Sequence, residues 1–212
     1  MRQSKYILTA DDYGACDFID NGIIKAIKAG KINSVACFAV PFGKEDDLAQ
    51  RITRLVELKK DFNFSIGLHF SLTAGRSNMA STFENGNSLT EYDKYEDRHY
   101  MMNAYNYHFW KVQEQELEEE LQSQIERLQA CLGADIQIDS ISNHHGIVYM
   151  STRLFRPYAA VAQKNNIPLR SPRIWRKAGL PFRNWDRWPY NPMIRQGLRL
   201  RLLDQALDAN DE

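Results

Sequence analysis

The chain has 212 residues, 43% hydrophobic and 25% charged, which is the composition of a globular protein able to bury a sizeable core. Lys plus Arg and Asp plus Glu number 27 each, so no overall basic field directs the chain to nucleic acid or to an anionic lipid surface. Three widely spaced cysteines, Cys16, Cys37 and Cys131, form no CxxC pair, which argues against a disulfide scaffold or a thiolate zinc site and suits a reducing cytoplasm.

No apolar signal core precedes the first strand, and no run of about 18 apolar residues marks a membrane span, so no membrane partner is expected. Residues 6–14 (Tyr-Ile-Leu-Thr-Ala-Asp-Asp-Tyr-Gly) read as a strand that carries Ile7 and Leu8 into the core and ends at Asp11 and Asp12, before a turn at Gly14. Parallel α/β sheets place ligands at such strand ends. Adjacent carboxylates repel unless they share a cation or a proton, although Asp-Asp-Tyr-Gly also reads as an ordinary turn.

Asp17 is placed to cap a helix with the stripe Ile19, Ile23, Ala26 and Ile27, ended by Gly30. Residues 34–40 read as a second buried strand, 44–59 as a helix and 64–72 as a third strand with His69 near its C-terminal end. Alternating strands and helices predict an α/β fold with a parallel sheet. Residues 73–108 are polar and aromatic without a sustained period and read as a long inserted loop, with His99 and His108 on its surface. Its aromatic residues, among them Tyr92, Tyr95, Tyr100 and Tyr105, suit packing or the faces of sugar rings.

Residues 113–132 are a helix on Leu117, Leu121, Ile125 and Leu128, with Glu118, Glu119 and Glu120 as its solvated face. Residues 136–141 read as a strand leading into Ser142-Asn143-His144-His145-Gly146, and 151–165 as a helix in which Pro157 is an interruption or a first-turn residue. Ile167-Pro168-Leu169-Arg170 reads as one more strand end. An irregular Pro- and Trp-containing tail follows from about residue 171, with a basic amphipathic helix at 193–208. The expectation is one domain over 1–212.

Three strand ends thus carry metal-binding side chains: Asp11 and Asp12, then His69, then His144 and His145. One or two carboxylate oxygens and two imidazoles suit zinc or a similar divalent ion, and a carboxylate left off the metal suits a general base, which together point to metal-assisted hydrolysis. A histidine at a strand end also serves purely structural roles, so each one alone leaves the matter open.

At these residues the sequence resembles the YdjC-like carbohydrate deacetylase family, which includes chitooligosaccharide deacetylases. The matches are Ala10-Asp11-Asp12-Tyr13-Gly14, Asn21-Gly22-Ile23, Gly30 and Ser34, Ile66-Gly67-Leu68-His69 with Leu72-Thr73, the His144-His145 segment, and Leu169-Arg170. The resemblance implies a distorted (β/α) barrel of the polysaccharide-deacetylase type, incomplete at its C-terminus. It implies one divalent ion (Mg or Zn) held by Asp12, His69 and His144, with Asp11 as general base oriented by Arg170. The reaction implied is removal of an N-acetyl group from an amino sugar or chitooligosaccharide, a small carbohydrate substrate, by a cytoplasmic enzyme for which a homodimer is allowed.

Two departures stand out. The family's Asp-Ser before the histidine is Ser142-Asn143 here, and an alignment slipped by one makes His145 the ligand. His144 is preferred because Asp139-x-Ile141 then falls on the family's Asp-His-Ile run. The family also has a late His acting as general acid, whereas no His follows His145. The alternatives are a remnant that binds a sugar or a partner with little turnover, or another metal-dependent amide hydrolase.

Overall fold

The run Ser-Val-Ala-Cys opens the apolar stretch that continues to Val40, and it is buried at every position as β2 (Ser34–Cys37). Burial on both faces suits a central parallel strand. On one side β2 pairs in parallel with β1 (Thr9–Tyr13), and on the other with β3 (Ser65–Phe70). Beyond β3 lies β6 (Ile141–Asn143), also parallel, giving the order β1-β2-β3-β6. Leu169 adds a parallel bridge to Ile141, so the segment ending at Arg170 extends the sheet past β6. The computed structural model describes residues 7–42, 47–78, 88–93, 98–101 and 111–170.

Helices α1 (Asp17–Lys28) and α2 (Leu48–Lys59) connect β1 to β2 and β2 to β3. Ile23 and Ile27 of α1, and Leu48, Ile52, Leu55 and Leu58 of α2, are the buried rows, as helical periodicity requires. Helix α3 (Glu114–Leu132) and helix α4 (Thr152–Lys164) flank β6 in sequence, and the histidine segment His144–Met150 forms a kinked 3-10 turn after β6. Phe70 of β3 stacks on Tyr158 of α4 at a ring-centroid distance of 5.8 Å, which seats α4 against the sheet. Gly67 is required by close approach, since a Cβ there would lie 2.7 Å from the Ser140 carbonyl oxygen.

Several elements differ from the sequence reading. Ile7 and Leu8 are 76% and 56% exposed, because the first strand begins at Thr9 and is the edge strand of the described sheet. The Asp pair lies inside that strand, and Tyr13 at its end is the fully buried residue. Asp17 is the first residue of α1 and not its cap; Cys16 takes that position without a side-chain bond. Strand β6 starts at Ile141, since Asp139 uses its backbone N–H and a side-chain oxygen on Ile66.

Segment 73–108 contains an antiparallel pair, β4 (Thr90–Asp93) with β5 (Arg98–Met101), a polar hairpin whose period-2 pattern has too few apolar residues to read; His99 lies in β5. Glu120 is fully buried, in contrast to its neighbours Glu118 and Glu119. Pro157 sits well inside α4 without ending it: Leu154, Phe155 and Tyr158 around it are buried, and that packing outweighs one lost helical hydrogen bond. His108, the aromatics Tyr95, Tyr105, Tyr107, Phe109 and Trp110, and the expected helix at 193–208 lie outside the described residues.

Candidate functional site

In a regular strand successive side chains point to opposite faces, so Asp11 and Asp12 could not serve one site. A β-bulge removes this obstacle. Ala10 pairs with Val35 and Tyr13 with Cys37, so β1 carries one residue more than β2 over this stretch. Asp12 absorbs the extra residue at φ 70°, a left-handed conformation that costs roughly 1–2 kcal/mol and that Asp tolerates better than most residues. Gly14 follows at φ 98°, and the chain turns into α1.

The bulge brings Asp12 to the ends of β3 and β6. Its Oδ1 lies 3.0 Å from His69 Nε2 and 3.1 Å from His144 Nδ1, and those two nitrogens are 3.2 Å apart. The three atoms form a nearly equilateral triangle. His69 is almost fully buried, and Asp12 and His144 are half-buried. Phe38 packs against both imidazoles, with ring centroids at 5.0 and 4.9 Å.

Ser142 faces His69 across the β3–β6 pair and orients it. Its Oγ is 2.8 Å from His69 Nδ1 and 3.4 Å from the Leu68 carbonyl. If the hydroxyl donates to that carbonyl, it accepts the Nδ1 proton and leaves a lone pair on Nε2, aimed at the triangle. The Asp12 contacts are short enough for hydrogen bonds, yet Oδ1 is buried without a partner of acceptable geometry. A buried anionic oxygen facing two ring nitrogens is a donor set that could hold a divalent cation. The edges of 3.0–3.2 Å match ligand atoms about 2.1 Å from one ion at near-right angles.

Electrostatics agree with that chemistry. The ring nitrogens of His144 and His69 hold the Asp12 carboxyl well below the usual carboxylate range. Burial pushes the His69 imidazole down, favouring the neutral form that binds metals. Burial also raises the Cys37 thiol, which stays protonated in the core and offers no ligand.

Asp11 points to a different partner. Arg170 places Nη1 and Nη2 each 2.7 Å from Asp11 Oδ1 and Oδ2, a two-bond fork across 159 residues. The contact joins one edge of the described sheet to the segment beyond the other edge, so the sheet is curved. Tyr149 donates its hydroxyl to the Arg170 carbonyl and anchors that segment.

His145 stands apart from the triangle. It adopts φ 56°, lies tilted against His144 with ring centroids 3.7 Å apart, and places Nδ1 2.9 Å from Thr73 Oγ1. Burial pushes its pKa down to about 4. The structure therefore brings Asp12, His69 and His144 together, sets Asp11 with Arg170 beside them, and leaves His145 outside the group.

A protein-family model described as YdjC-like protein matches residues 5–209. The chain belongs to the YdjC-like family. It is 28% identical over 166 residues to a carbohydrate deacetylase of Vibrio cholerae serotype O1, covering 78% of this chain and 58% of that protein. A carbohydrate deacetylase of Clostridium beijerinckii is 25% identical over 169 residues, covering 78% and 59%. The YdjC-like chain thus spans less than two thirds of the length of these relatives. A crystal structure from Enterococcus faecalis V583, provisionally named a cellobiose-phosphate cleavage protein, superposes with a TM-score of 0.61 at 23% identity, covering 79% of this chain and 60% of that one. That likeness shows a shared α/β fold.

Sequence reasoning about this YdjC-like chain missed three side chains around the site: Ser142 behind His69, Thr73 behind His145, and Asp20 beneath the bulge. Pairing Ser142 with His69 needs the β3–β6 register, which no local pattern carries. Asp20 sits on the apolar stripe of α1 between Ile19 and Ile23, a position where a carboxylate needs a buried partner, and that signal was available.

Proposed function

We propose that this YdjC-like chain removes the N-acetyl group of an amino sugar or chitooligosaccharide, using one divalent ion, Mg or Zn, held by Asp12, His69 and His144. The observation that carries the reading is the convergence of one carboxylate oxygen and two imidazole nitrogens at 3.0–3.2 Å, beside a second carboxylate gripped by an arginine. Both relatives named carbohydrate deacetylases support the substrate class. Residues 1–212 are taken as one barrel-like domain, and Cys16, Cys37 and Cys131, none of them in a disulfide, suit a cytoplasmic setting.

When bound, the ion supplies Lewis-acid polarisation of the amide carbonyl and a more acidic water. Asp11 accepts a proton from the attacking water as general base. Arg170 engages both Asp11 oxygens, which fixes the plane of the carboxylate and leaves its remaining lone pairs to face the water. Ser142 holds His69 in the tautomer whose Nε2 is a ligand. Asp11 and Asp12 thereby take separate tasks, and the bulge is what lets adjacent residues do so.

The test is metal content by mass spectrometry for the wild type, Asp12→Asn and His69→Ala, followed by acetate release from chitooligosaccharides. About one ion per chain, lost in both variants, together with acetate release by the wild type, is the expected result. Full metal occupancy in Asp12→Asn would refute the ligand assignment, and metal binding without acetate release from any acetylated amino sugar would refute the reaction.

A further inference from the structure

We infer that Asp20 and Arg51 are positioning residues of the metal site: they clamp the β1 bulge that aims Asp12 at His69 and His144. The inference rests on the metal-dependent reading above. Neither residue touches the triangle. Asp20, in the first turn of α1, is fully buried although it is a carboxylate. Its Oδ1 accepts the backbone N–H of Gly14 at 2.7 Å, two residues from Asp12. Its Oδ2 lies 2.6 Å from Arg51 Nη1 in α2. Arg51 is held in turn by Asp47 and Asp17, at 2.6 and 3.1 Å, and its carbonyl accepts the Tyr13 hydroxyl at 2.8 Å.

Asp20 and Arg51 thus bind the two residues that follow Asp12: Tyr13 through its side chain and Gly14 through its backbone. Two further bonds complete the clamp: Phe38 N–H to the Tyr13 carbonyl at 2.8 Å, and Ala15 N–H to the Asp12 carbonyl at 3.2 Å. A left-handed Asp persists only where its surroundings over-determine it, and a buried ion pair aimed at the turn supplies that constraint. An uncharged acceptor would have sufficed to satisfy Gly14. A buried carboxylate matched to an arginine from the next helix ties the turn to both α1 and α2. Without the clamp the bulge relaxes toward a regular strand, and Asp12 rotates away from the two histidines.

The experiment titrates Co(II), as the probe ion, into the metal-free full chain and follows visible absorption. Wild type, Asp20→Asn and Leu132→Ala are compared, with thermal midpoints measured for each. Leu132 is a core residue at the far end of α3, so its truncation destabilises the fold without touching the bulge. The inference expects Asp20→Asn to bind Co(II) about 10- to 100-fold more weakly than wild type with an altered spectrum, and Leu132→Ala to keep wild-type affinity and spectrum despite a lower midpoint. Wild-type Co(II) affinity in Asp20→Asn, with binding intact in wild type, overturns this inference alone. A wild type that takes up no Co(II) overturns the metal reading and the inference with it. Should Asp20→Asn fail to fold, Arg51→Gln keeps the Asp20–Gly14 bond and removes the charge partner. The same weakening supports the clamp, and unchanged affinity and spectrum sink it.

Discussion

Arg170 grips Asp11 through two bonds of 2.7 Å, one to each carboxylate oxygen, although the residues stand 159 positions apart. Asp12, the neighbour of Asp11, has no such partner and faces His69 and His144. Under the proposed function this difference in environment divides the work: Asp11, with both oxygens engaged in one plane, is oriented for proton transfer, and Asp12, with an oxygen among imidazoles, is the ligand.

Arg170→Ala therefore separates orientation from metal binding. Both side chains of the pair are partly exposed, so its stability contribution is about 1 kcal/mol or less. The variant should keep its metal and its thermal midpoint within a few degrees while kcat for acetate release falls. A positioned general base is worth roughly 100- to 10,000-fold, and Asp11→Asn should approach that full loss with Arg170→Ala short of it. Steady-state kinetics with metal analysis of the same samples checks this. A kcat unchanged in Asp11→Asn would remove it from the mechanism.

Ser142→Ala probes the tautomer of His69. Without the hydroxyl, Nδ1 loses its 2.8 Å partner and the ring is no longer fixed with Nε2 toward Asp12. Loss of such a supporting partner costs about 10- to 100-fold in metal affinity. Isothermal titration with Zn(II) should show that weakening, and Ser142→Thr, which keeps a hydroxyl, should recover most of it. Equal affinities in Ala and Thr variants would show that the hydroxyl does not act on the site.

Much of this arrangement was legible in residue order, and what escaped did so for physical reasons. The stripes of α1 and α3 and the all-buried β2 follow from apolar spacing alone. His69 at the end of β3 could be placed because a six-residue strand has a short and countable end. The bulge could not, since it changes no residue type and exists only as a mismatch in count against β2. Ile7 and Leu8 misled because apolar side chains at an edge need a covering element, and no sequence run states what covers them. Glu120 shares a helical face with Leu117, Leu121 and Gln124, so its burial was implied by period and masked by its charge.

Lower pH should weaken the metal-free fold in a way that depends on His69. Burial depresses its folded pKa below the ordinary imidazole value of about 6.5. Below that value the unfolded chain takes up a proton that the folded chain refuses, so stability falls as pH falls. Asp12 adds the same sign lower down, since its depressed carboxyl stabilises the fold above the ordinary carboxylate range and stops doing so as pH drops through it. Urea unfolding of metal-free protein should therefore give a lower midpoint at pH 5 than at pH 7. His69→Gln should narrow that gap, and an unchanged gap would mean that other groups set the pH dependence.

Glu120→Ala tests the buried carboxylate on α3 that holds the loop after β3. Glu120 accepts bonds from Ser77 Oγ at 2.5 Å, Asn78 N–H at 3.2 Å and Gln124 Nε2 at 2.9 Å, and Gln124 in turn bonds both the N–H and the carbonyl of Ser71. The same loop carries Thr73 to His145. Truncation removes the acceptor of three donors, two of them buried, and each buried donor left without a partner costs about 1–3 kcal/mol. Partial relaxation of the loop lowers the sum, so about 3 kcal/mol is expected from urea unfolding. Glu120→Gln keeps one acceptor oxygen and should cost about half as much. The Asp12–His69–His144 triangle lies on β1, β3 and the turn after β6, outside this loop, so Zn(II) affinity should change less than in Ser142→Ala. An affinity loss in Glu120→Ala as large as in Ser142→Ala would show that the loop, and with it the Thr73–His145 contact, supports the ligands directly.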